Sequence, residues 1–320
     1  MTVKPAIHNQ TPAQPRMKLS TITRGKLVKP PRVLIFGPEG CGKTTWAANA
    51  PSPIFLCAED GTAQLDVARF PEPQSWTDVL DAINELTTGD HDFKTLVVDT
   101  LDWLEPLCWD HVCKRDGVKD IEAYGYSKGQ NVVALNEWRI LVSYLERLCR
   151  AREMGVIMIA HCWVKTYKNP EADDYDRFEL AIHNKAGGLL KQWCDAVLFA
   201  RFETFADKDS KTKRVRGVST GARVLHTERT AAYDAKNRYD LPPIMPLDYG
   251  AFAEAVSKHT PADPVKLTAR IETLLASADD EITARVRAAL EKAQGDAAQL
   301  ARIADHLAAT VNINQQENAQ

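Results

Sequence analysis

The stretch Val33-Leu34-Ile35-Phe36-Gly37-Pro38-Glu39-Gly40-Cys41-Gly42-Lys43-Thr44 decides the fold of this chain. Its first four residues are apolar and predict a buried strand, and the next eight match the pattern G-x-x-x-x-G-K-[S/T] of a phosphate-binding loop. The residues that follow, Thr45-Trp46-Ala47-Ala48, allow a helix to begin at once. In this strand–loop–helix context, glycines let backbone N–H groups surround a phosphate at a helix N-terminus. The stretch therefore predicts a nucleotide site.

The predicted loop also assigns roles to single residues. Lys43 is expected to bridge the β- and γ-phosphates during hydrolysis, and Thr44 to ligate Mg²⁺. A glycine turn that binds no ligand is the alternative interpretation. The expected cofactors are ATP and Mg²⁺, and the expected nucleotide-binding residues are Gly37, Pro38, Glu39, Gly40, Cys41, Gly42, Lys43, Thr44 and Thr45.

Three further apolar runs each end in a polar side chain. TLVVDT (95–100) supplies Asp99 as the predicted Mg²⁺-organising carboxylate, with a helix cap as the alternative. The run PIFLCA (53–58) is followed by Glu59 and Asp60, of which Glu59 is the preferred catalytic base and a solvated acidic turn is the alternative. GVIMIA (155–160) is followed by His161, which is either a γ-phosphate sensor or a structural histidine.

Alternation of short apolar runs with helical stretches predicts the fold class. Besides the four runs already named, AVLFARF (196–202) and RVLHTE (223–228) read as strands, and residues 131–154 read as a long amphipathic helix. Near-continuous apolar strands separated by helices are typical of a mainly parallel sheet covered on both faces. We therefore expect an α/β core with a helical C-terminal appendage.

Composition shifts predict four segments. Residues 1–28 are expected to form a flexible arm, 29–250 the ATPase core, 262–312 a helical appendage and 313–320 a frayed tail. The apolar stripe of the appendage is too broad for a free helix. It is expected to pack on the core, to pair with another subunit, or to bind a partner such as a single-strand-binding protein.

Length and charge limit the class of protein. The chain has 320 residues, a net charge of −3, 44% hydrophobic residues and 26% charged residues, which excludes a uniformly basic nucleic-acid binder and favours a globular protein. The N-terminus is polar and no apolar run is long enough for a membrane span, so a cytoplasmic protein without membrane contact is expected. Seven scattered cysteines predict buried thiols and no disulfide framework.

The phosphate-binding loop and the apolar strands that end in polar residues, in this order, resemble the RecA-like ATPase core over about residues 31–245. AEDGTAQLD looks like the segment of RecA recombinases that carries the catalytic glutamate, which would be Glu59, and TLVVDTLDWLE resembles their Walker B strand and following helix. Residues 124–129 occupy the place of the first DNA-binding loop of that family, and residues 163–185 the place of the second. Where the family usually has Asn-Gln before the second loop, this chain has Ala160-His161, closer to hexameric RecA-fold helicases.

The segment Tyr233-Asp234-Ala235-Lys236-Asn237-Arg238 carries a second resemblance. It looks like the cation pair that RecA-fold filaments and rings insert into the ATP site of a neighbouring subunit. This resemblance implies that Lys236 and Arg238 act in trans and that the chain forms a homo-oligomer, as a ring or a filament, with ATP sites at subunit boundaries. A basic surface turn is the alternative.

Within the superfamily, the sequence resembles phage-encoded, core-only RecA-like ATPases that act as single-strand DNA annealing proteins. The residues that carry this resemblance are GPEGCGKTTWAANAP, the AED turn, HNKAGGLLKQWCDAVLFA and TERTAAYDAKNRYDLPP. The resemblance implies an ATPase, stimulated by DNA, that binds single-stranded DNA and promotes pairing of complementary strands. A phage origin would place it in the cytoplasm of a bacterial host.

Candidate DNA contacts combine cations with flat side chains on which bases can stack. The first loop offers Tyr124, Tyr126 and Lys128, and the second Lys165, Tyr167 and Lys168 with Trp163. A third group lies in a predicted hairpin that is followed by Arg223, and the alternative is a solvated hairpin without a ligand. The group comprises Lys208, Lys211, Lys213, Arg214 and Arg216.

Two other functions remain open from the sequence. One is a RecA-fold DNA motor, helicase or loader, which His161 and the Lys236–Arg238 segment would also suit. The other is an ATP-switched protein-assembly factor without DNA binding. Duplex unwinding would favour the former, and an ATPase rate unchanged by DNA the latter.

Overall fold

The computed structural model describes residues 22, 29–59, 61–208, 215–259, 264–278, 280–293 and 295–317. Most of the predicted arm 1–28, as well as Asp60, Lys211, Lys213 and Arg214, lies outside the described residues. Arg216 is described by its backbone alone.

Eleven strands are found in the described part of the chain, nine of them in one sheet. In chain order they are β1 (Arg32–Phe36), β2 (Pro53–Cys57), β3 (Ala68–Arg69), β4 (Thr95–Asp99), β5 (Gly155–Ala160), β6 (Cys162–Tyr167), β7 (Tyr175–Leu180), β8 (Ala196–Lys208), β9 (Val215–His226), β10 (Lys236–Asn237) and β11 (Ile244–Pro246). The main sheet has the order β11-β9-β8-β1-β5-β4-β2-β3, with β10 against β8. All pairs from β8 to β3 are parallel, whereas the pairs at the β9, β10 and β11 end are antiparallel.

This order confirms the predicted α/β fold class. The P-loop strand β1 is separated from the strand of Asp99, β4, by the inserted strand β5. Each of the six predicted apolar runs lies, over all or most of its length, in a strand of this sheet.

Helices cover both faces of the sheet, because alternate residues of each buried strand point to opposite sides. Leu34 and Phe36 pack under the first layer, and Val33 and Ile35 under the second. The first layer consists of α2 (Trp76–Thr88), α3 (Leu101–Asp116), α4 (Leu135–Arg152) and α5 (Asn184–Trp193). The second consists of α1 (Lys43–Ala48) and α6 (Tyr249–His259).

Helix α6 extends the core beyond the predicted boundary at residue 250. Its residues Tyr249 and Phe252 pack edge-on against Trp46 of α1, with ring centroids 5.0 and 5.2 Å away. The remaining helices, α7 (Pro264–Leu275), α8 (Asp280–Ala293) and α9 (Ala297–Glu317), share a separate apolar cluster. Helix α9 continues past the predicted end at residue 312.

Two predicted segments differ from expectation. Residues 163–185 are not an open loop, since most of them form the antiparallel hairpin β6–β7 before α5 begins. The helix predicted over 131–154 starts as a π-helical turn, Gly129–Ala134, and becomes α-helical only at Leu135. All seven thiols are free, and no helix among the described residues is long and apolar enough to cross a membrane.

Candidate functional site

The predicted nucleotide site lies at one edge of the parallel sheet. Strands β1, β5, β4 and β2 all end there, so the loops after them meet, as is usual for ligand sites in parallel α/β sheets. A cavity of about 840 Å³ opens at this edge. Of the predicted residues, its lining includes Glu39, Gly40, Gly42, Lys43, Thr44, Thr45, Glu59, Asp99 and His161.

Two glycines are required by the backbone of the loop. A Cβ on Gly37 would lie 1.9 Å from the carbonyl oxygen of Ala200, so β8 permits no side chain there. Gly42 has φ +102°, a left-handed conformation that favours glycine. Lys43 is buried, and its Nζ donates to the carbonyl oxygens of Gly37 and Pro38 at 2.9 Å each. The loop thereby holds the ammonium group beside its own backbone N–H groups.

Thr44 and Asp99 meet directly. The hydroxyl of Thr44 donates to Oδ2 of Asp99 at 2.8 Å, although the two residues are 55 positions apart. Burial raises the pKa of Asp99 to about 6, and the nearby Glu59 carboxylate adds to this effect. A hydroxyl and a carboxylate at this distance are oxygen donors of the kind that Mg²⁺ prefers, so these residues fit a metal ion bound with a phosphate.

Glu59 stands across the cavity from the loop. Thr100 donates to its Oε2 at 3.3 Å, and the side chain remains 28% exposed. His161 Nδ1 lies 4.0 Å from the same oxygen and 2.8 Å from Oδ2 of Asp102. The hydrogen bond with Asp102 raises the pKa of His161. Glu59 and His161 therefore form one polar group at the strand ends, as predicted from their positions.

Helix α3 connects this group to the hairpin β6–β7. Asp102 accepts the backbone N–H of His161, directly before β6, at 2.9 Å. Three residues later, Glu105 accepts the backbone N–H of His183 at 2.9 and 3.1 Å, shortly after β7. The helix that follows the Asp99 strand therefore holds both ends of the hairpin with carboxylates.

Glu105 makes the stability of this connection depend on pH. Burial raises the pKa of Glu105 from 4.5 to about 7, although the N–H of His183 opposes the shift. A raised carboxyl pKa stabilises the fold below pH 4.5, and this contribution is lost as the pH rises through about 7. The free energy of unfolding of Glu105→Gln should therefore rise relative to that of the wild type by on the order of 2 kcal/mol between pH 5 and pH 8.

Urea unfolding of both proteins at the two pH values measures this change. Glu291→Gln, at an exposed position of α8, is the matched control and should track the wild type. A constant stability difference between Glu105→Gln and the wild type from pH 5 to pH 8 would contradict the prediction.

The proposed trans-acting cations lie away from the cavity of the same chain. The Nζ of Lys236 donates to three carbonyl oxygens at the end of α5, those of Lys191, Gln192 and Cys194. Its ammonium group is thus engaged within its own subunit. Arg238 is 55% exposed and bonds to Asp195 at 3.0 Å. Of the pair, Arg238 is the better placed to reach a neighbour.

The first predicted DNA loop divides into a packed and an exposed part. The hydroxyl of Tyr124 donates to Oδ2 of Asp116 at 2.7 Å and lies 3.0 Å from the carbonyl oxygen of Val112, so this tyrosine stabilises the loop. Tyr126 is fully exposed with φ +46°, and Lys128 is also exposed. Tyr126 and Lys128 are free to meet a ligand.

The second predicted DNA segment presents mixed features. On β6, the Nζ of Lys165 lies 4.5 Å from the ring centroid of Trp163, which is 44% exposed. Tyr167 packs against Tyr175, and Lys168 is ion-paired with Asp174. The available surface is therefore centred on Trp163 and Lys165.

Sequence reasoning missed the roles of Asp102 and Glu105 and misplaced Arg223. The signal for the two acids was their spacing of three in TLDWLE, which places them on one side of a helix. Arg223 was grouped with the hairpin cations, but it lines the nucleotide cavity.

Comparison with known proteins agrees with the P-loop architecture. Residues 29–239 match the model of a family described as AAA domain (AAA_24). The chain is similar to the RadB recombinase in a crystal structure, with 17% identity, a TM-score of 0.36, and coverage of 63% of this chain and 82% of that one. No curated protein matches the chain. Because the AAA domain model spans well over half of the sequence, the chain belongs to the AAA domain family.

Proposed function

We propose that this protein is an ATPase that binds single-stranded DNA and promotes annealing of complementary strands in recombination. The observation that carries the ATPase part is the convergence of Lys43, Thr44, Asp99 and Glu59 on one cavity. Three separate sequence segments supply these residues, and together they provide the phosphate, metal and water-activating groups that phosphoryl transfer needs.

Each side chain has a role in the proposed hydrolysis. Lys43 and the loop N–H groups bind the β- and γ-phosphates, and Thr44 with Asp99 holds Mg²⁺, which neutralises the charge of the phosphates when bound. Glu59 accepts a proton from the attacking water. His161 stands next to Glu59, where it is placed to sense the γ-phosphate. Arg238 of an adjacent subunit supplies a cation that stabilises the transition state.

The DNA part is supported by the link through α3. The hairpin β6–β7 and the loop around Tyr126 carry exposed rings and cations of the kind that bind single strands. Both ends of the hairpin are bonded to the helix that starts two residues after Asp99. A change at the nucleotide site can therefore reach the hairpin through this one helix.

Steady-state ATP hydrolysis, with and without a single-stranded oligonucleotide, tests this function. We expect DNA to stimulate turnover and the stimulation to weaken as salt rises, because phosphate contacts are salt-dependent. Trp163→Ala should weaken binding of the oligonucleotide by roughly 5- to 150-fold, since stacking is worth about 1–3 kcal/mol per base. Lys43→Ala provides the hydrolysis blank, and Ile140→Ala, at an exposed site on α4, the control for DNA binding.

The outcomes separate the parts of the proposal. Hydrolysis that DNA does not alter, with no mobility shift at low salt, would remove the DNA part and favour an ATP-switched assembly factor. Duplex unwinding with a required tail direction would favour a motor over annealing. Annealing of complementary strands without unwinding supports the proposal.

A further inference from the structure

Strand β9 brings a cation to the flank of the phosphate-binding loop. Phe36, the last residue of β1, pairs with Phe199, whereas Arg223 pairs with Phe202, three residues farther along β8. The β8–β9 pair therefore extends past the end of β1, to the level of the loop. A Cβ on Gly42 would lie 2.9 Å from Nη1 of Arg223. Arg223 thus lies against the loop and lines the same cavity as Lys43.

The guanidinium of Arg223 has no acidic partner among the described side chains. Its guanidinium carbon lies 5.2 Å from the ring centroid of Phe202. By contrast, Arg32, Arg115 and Arg177 are each paired with carboxylates. Arg223 is also exposed at the cavity. Two cations, Lys43 and Arg223, therefore converge on one cavity, an arrangement that an anionic ligand would stabilise.

The strand order decides which part of a nucleotide Arg223 can reach. Asp99 lies on β4, on one side of β1, and its contact with Thr44 marks the place of the metal and of the β- and γ-phosphates. Arg223 lies on β9, on the opposite side of β1. The β9 flank of the loop therefore faces the part of the nucleotide that is remote from the metal.

From this geometry we propose that Arg223 binds the α–β end of the nucleotide di- or triphosphate from within the same subunit. A planar guanidinium can donate two parallel N–H bonds to phosphate oxygens, and Phe202 holds its plane. The contact is made equally in the ground state and in the transition state, because these phosphate oxygens are remote from the transferred group. Arg223 is therefore a binding residue, and this inference rests on the proposed nucleotide site.

The kinetic signature follows from that placement. In the full-length protein, Arg223→Ala should raise the KM for ATP and the Kd for ADP by the same factor, about tenfold, while kcat changes by less than about twofold. Arg223→Lys should recover only part of the affinity, because lysine keeps the positive charge but cannot donate two parallel N–H bonds. Arg139→Ala, at an exposed site on α4, is the matched control and should leave both constants unchanged. Steady-state kinetics and titration calorimetry with ADP give these values.

Three results would overturn the proposal. Unchanged KM and Kd in Arg223→Ala would remove the nucleotide contact. Weaker ATP binding with normal ADP binding would move the contact to the γ-phosphate. Weaker binding of single-stranded DNA in the absence of nucleotide, with normal nucleotide affinity, would return Arg223 to the DNA surface. A wild-type protein that binds neither ATP nor ADP would instead contradict the proposed function itself.

Discussion

Lys43→Ala should lower ATP turnover by at least about 100-fold, because it removes a preorganised cation from the charge that develops on the transferred phosphoryl group. The ammonium of Lys43 donates to the carbonyl oxygens of Gly37 and Pro38, so these hydrogen bonds lie within the loop itself. Loss of the side chain therefore leaves the packing of the sheet intact. Phosphate release gives the rate, and circular dichroism through a thermal melt monitors the fold.

Lys114→Ala is the matched control for this substitution. Lys114 is 77% exposed on α3 and pairs with Asp110, one helical turn away. The control should hydrolyse ATP at the wild-type rate, as exposed ion pairs of this kind contribute little to stability. A Lys43→Ala protein that is folded and hydrolyses ATP normally would refute the assignment of the nucleotide site.

Glu59→Gln and Arg238→Ala should each lose turnover by about 100-fold or more while retaining ATP binding, and their mixture should regain part of the activity. The glutamine cannot accept a proton from water, and removal of a trans-acting arginine leaves the transition-state charge without its partner. In a mixed oligomer, some boundaries combine an intact Glu59 with an intact Arg238. The exposure of Arg238, whose pairing with Asp195 lies at the surface, suits this role.

The regained turnover is measured by mixing the two variants at fixed total protein and following phosphate release. Arg229→Ala is a control of similar kind, since Arg229 is an exposed arginine that pairs with Asp234 and has no proposed part in hydrolysis. Its mixture with Glu59→Gln should show no activity beyond that of the Arg229→Ala subunits alone. If the Arg238→Ala mixture stays inactive although mixed oligomers form, Arg238 does not act in trans.

The local pattern of the sequence was sufficient to predict the fold and the phosphate-binding loop. Gly37, Gly42, Lys43 and Thr44 belong to one strand–loop–helix unit, whose sequence pattern can be recognised from consecutive residues. Strand ends were predictable for a related reason. Parallel strands bring their carboxyl ends to one edge, so the apolar runs before Glu59, Asp99 and His161 already predicted that these side chains would meet.

Contacts between distant segments were decided only by the tertiary structure. The distance of Arg223 from Gly42 depends on how far β8 and β9 extend past β1, a register that no local pattern records. The same holds for Glu105, whose bond to His183 joins residues 78 positions apart. Lys236 looked like a free cation in the sequence, yet the folded chain places three carbonyl oxygens around it. The sequence thus determined the groups of the nucleotide site that come from the loop and the strand ends, because they follow from local motifs. The tertiary structure decided which charged side chains remain available to a ligand, because that depends on long-range pairing.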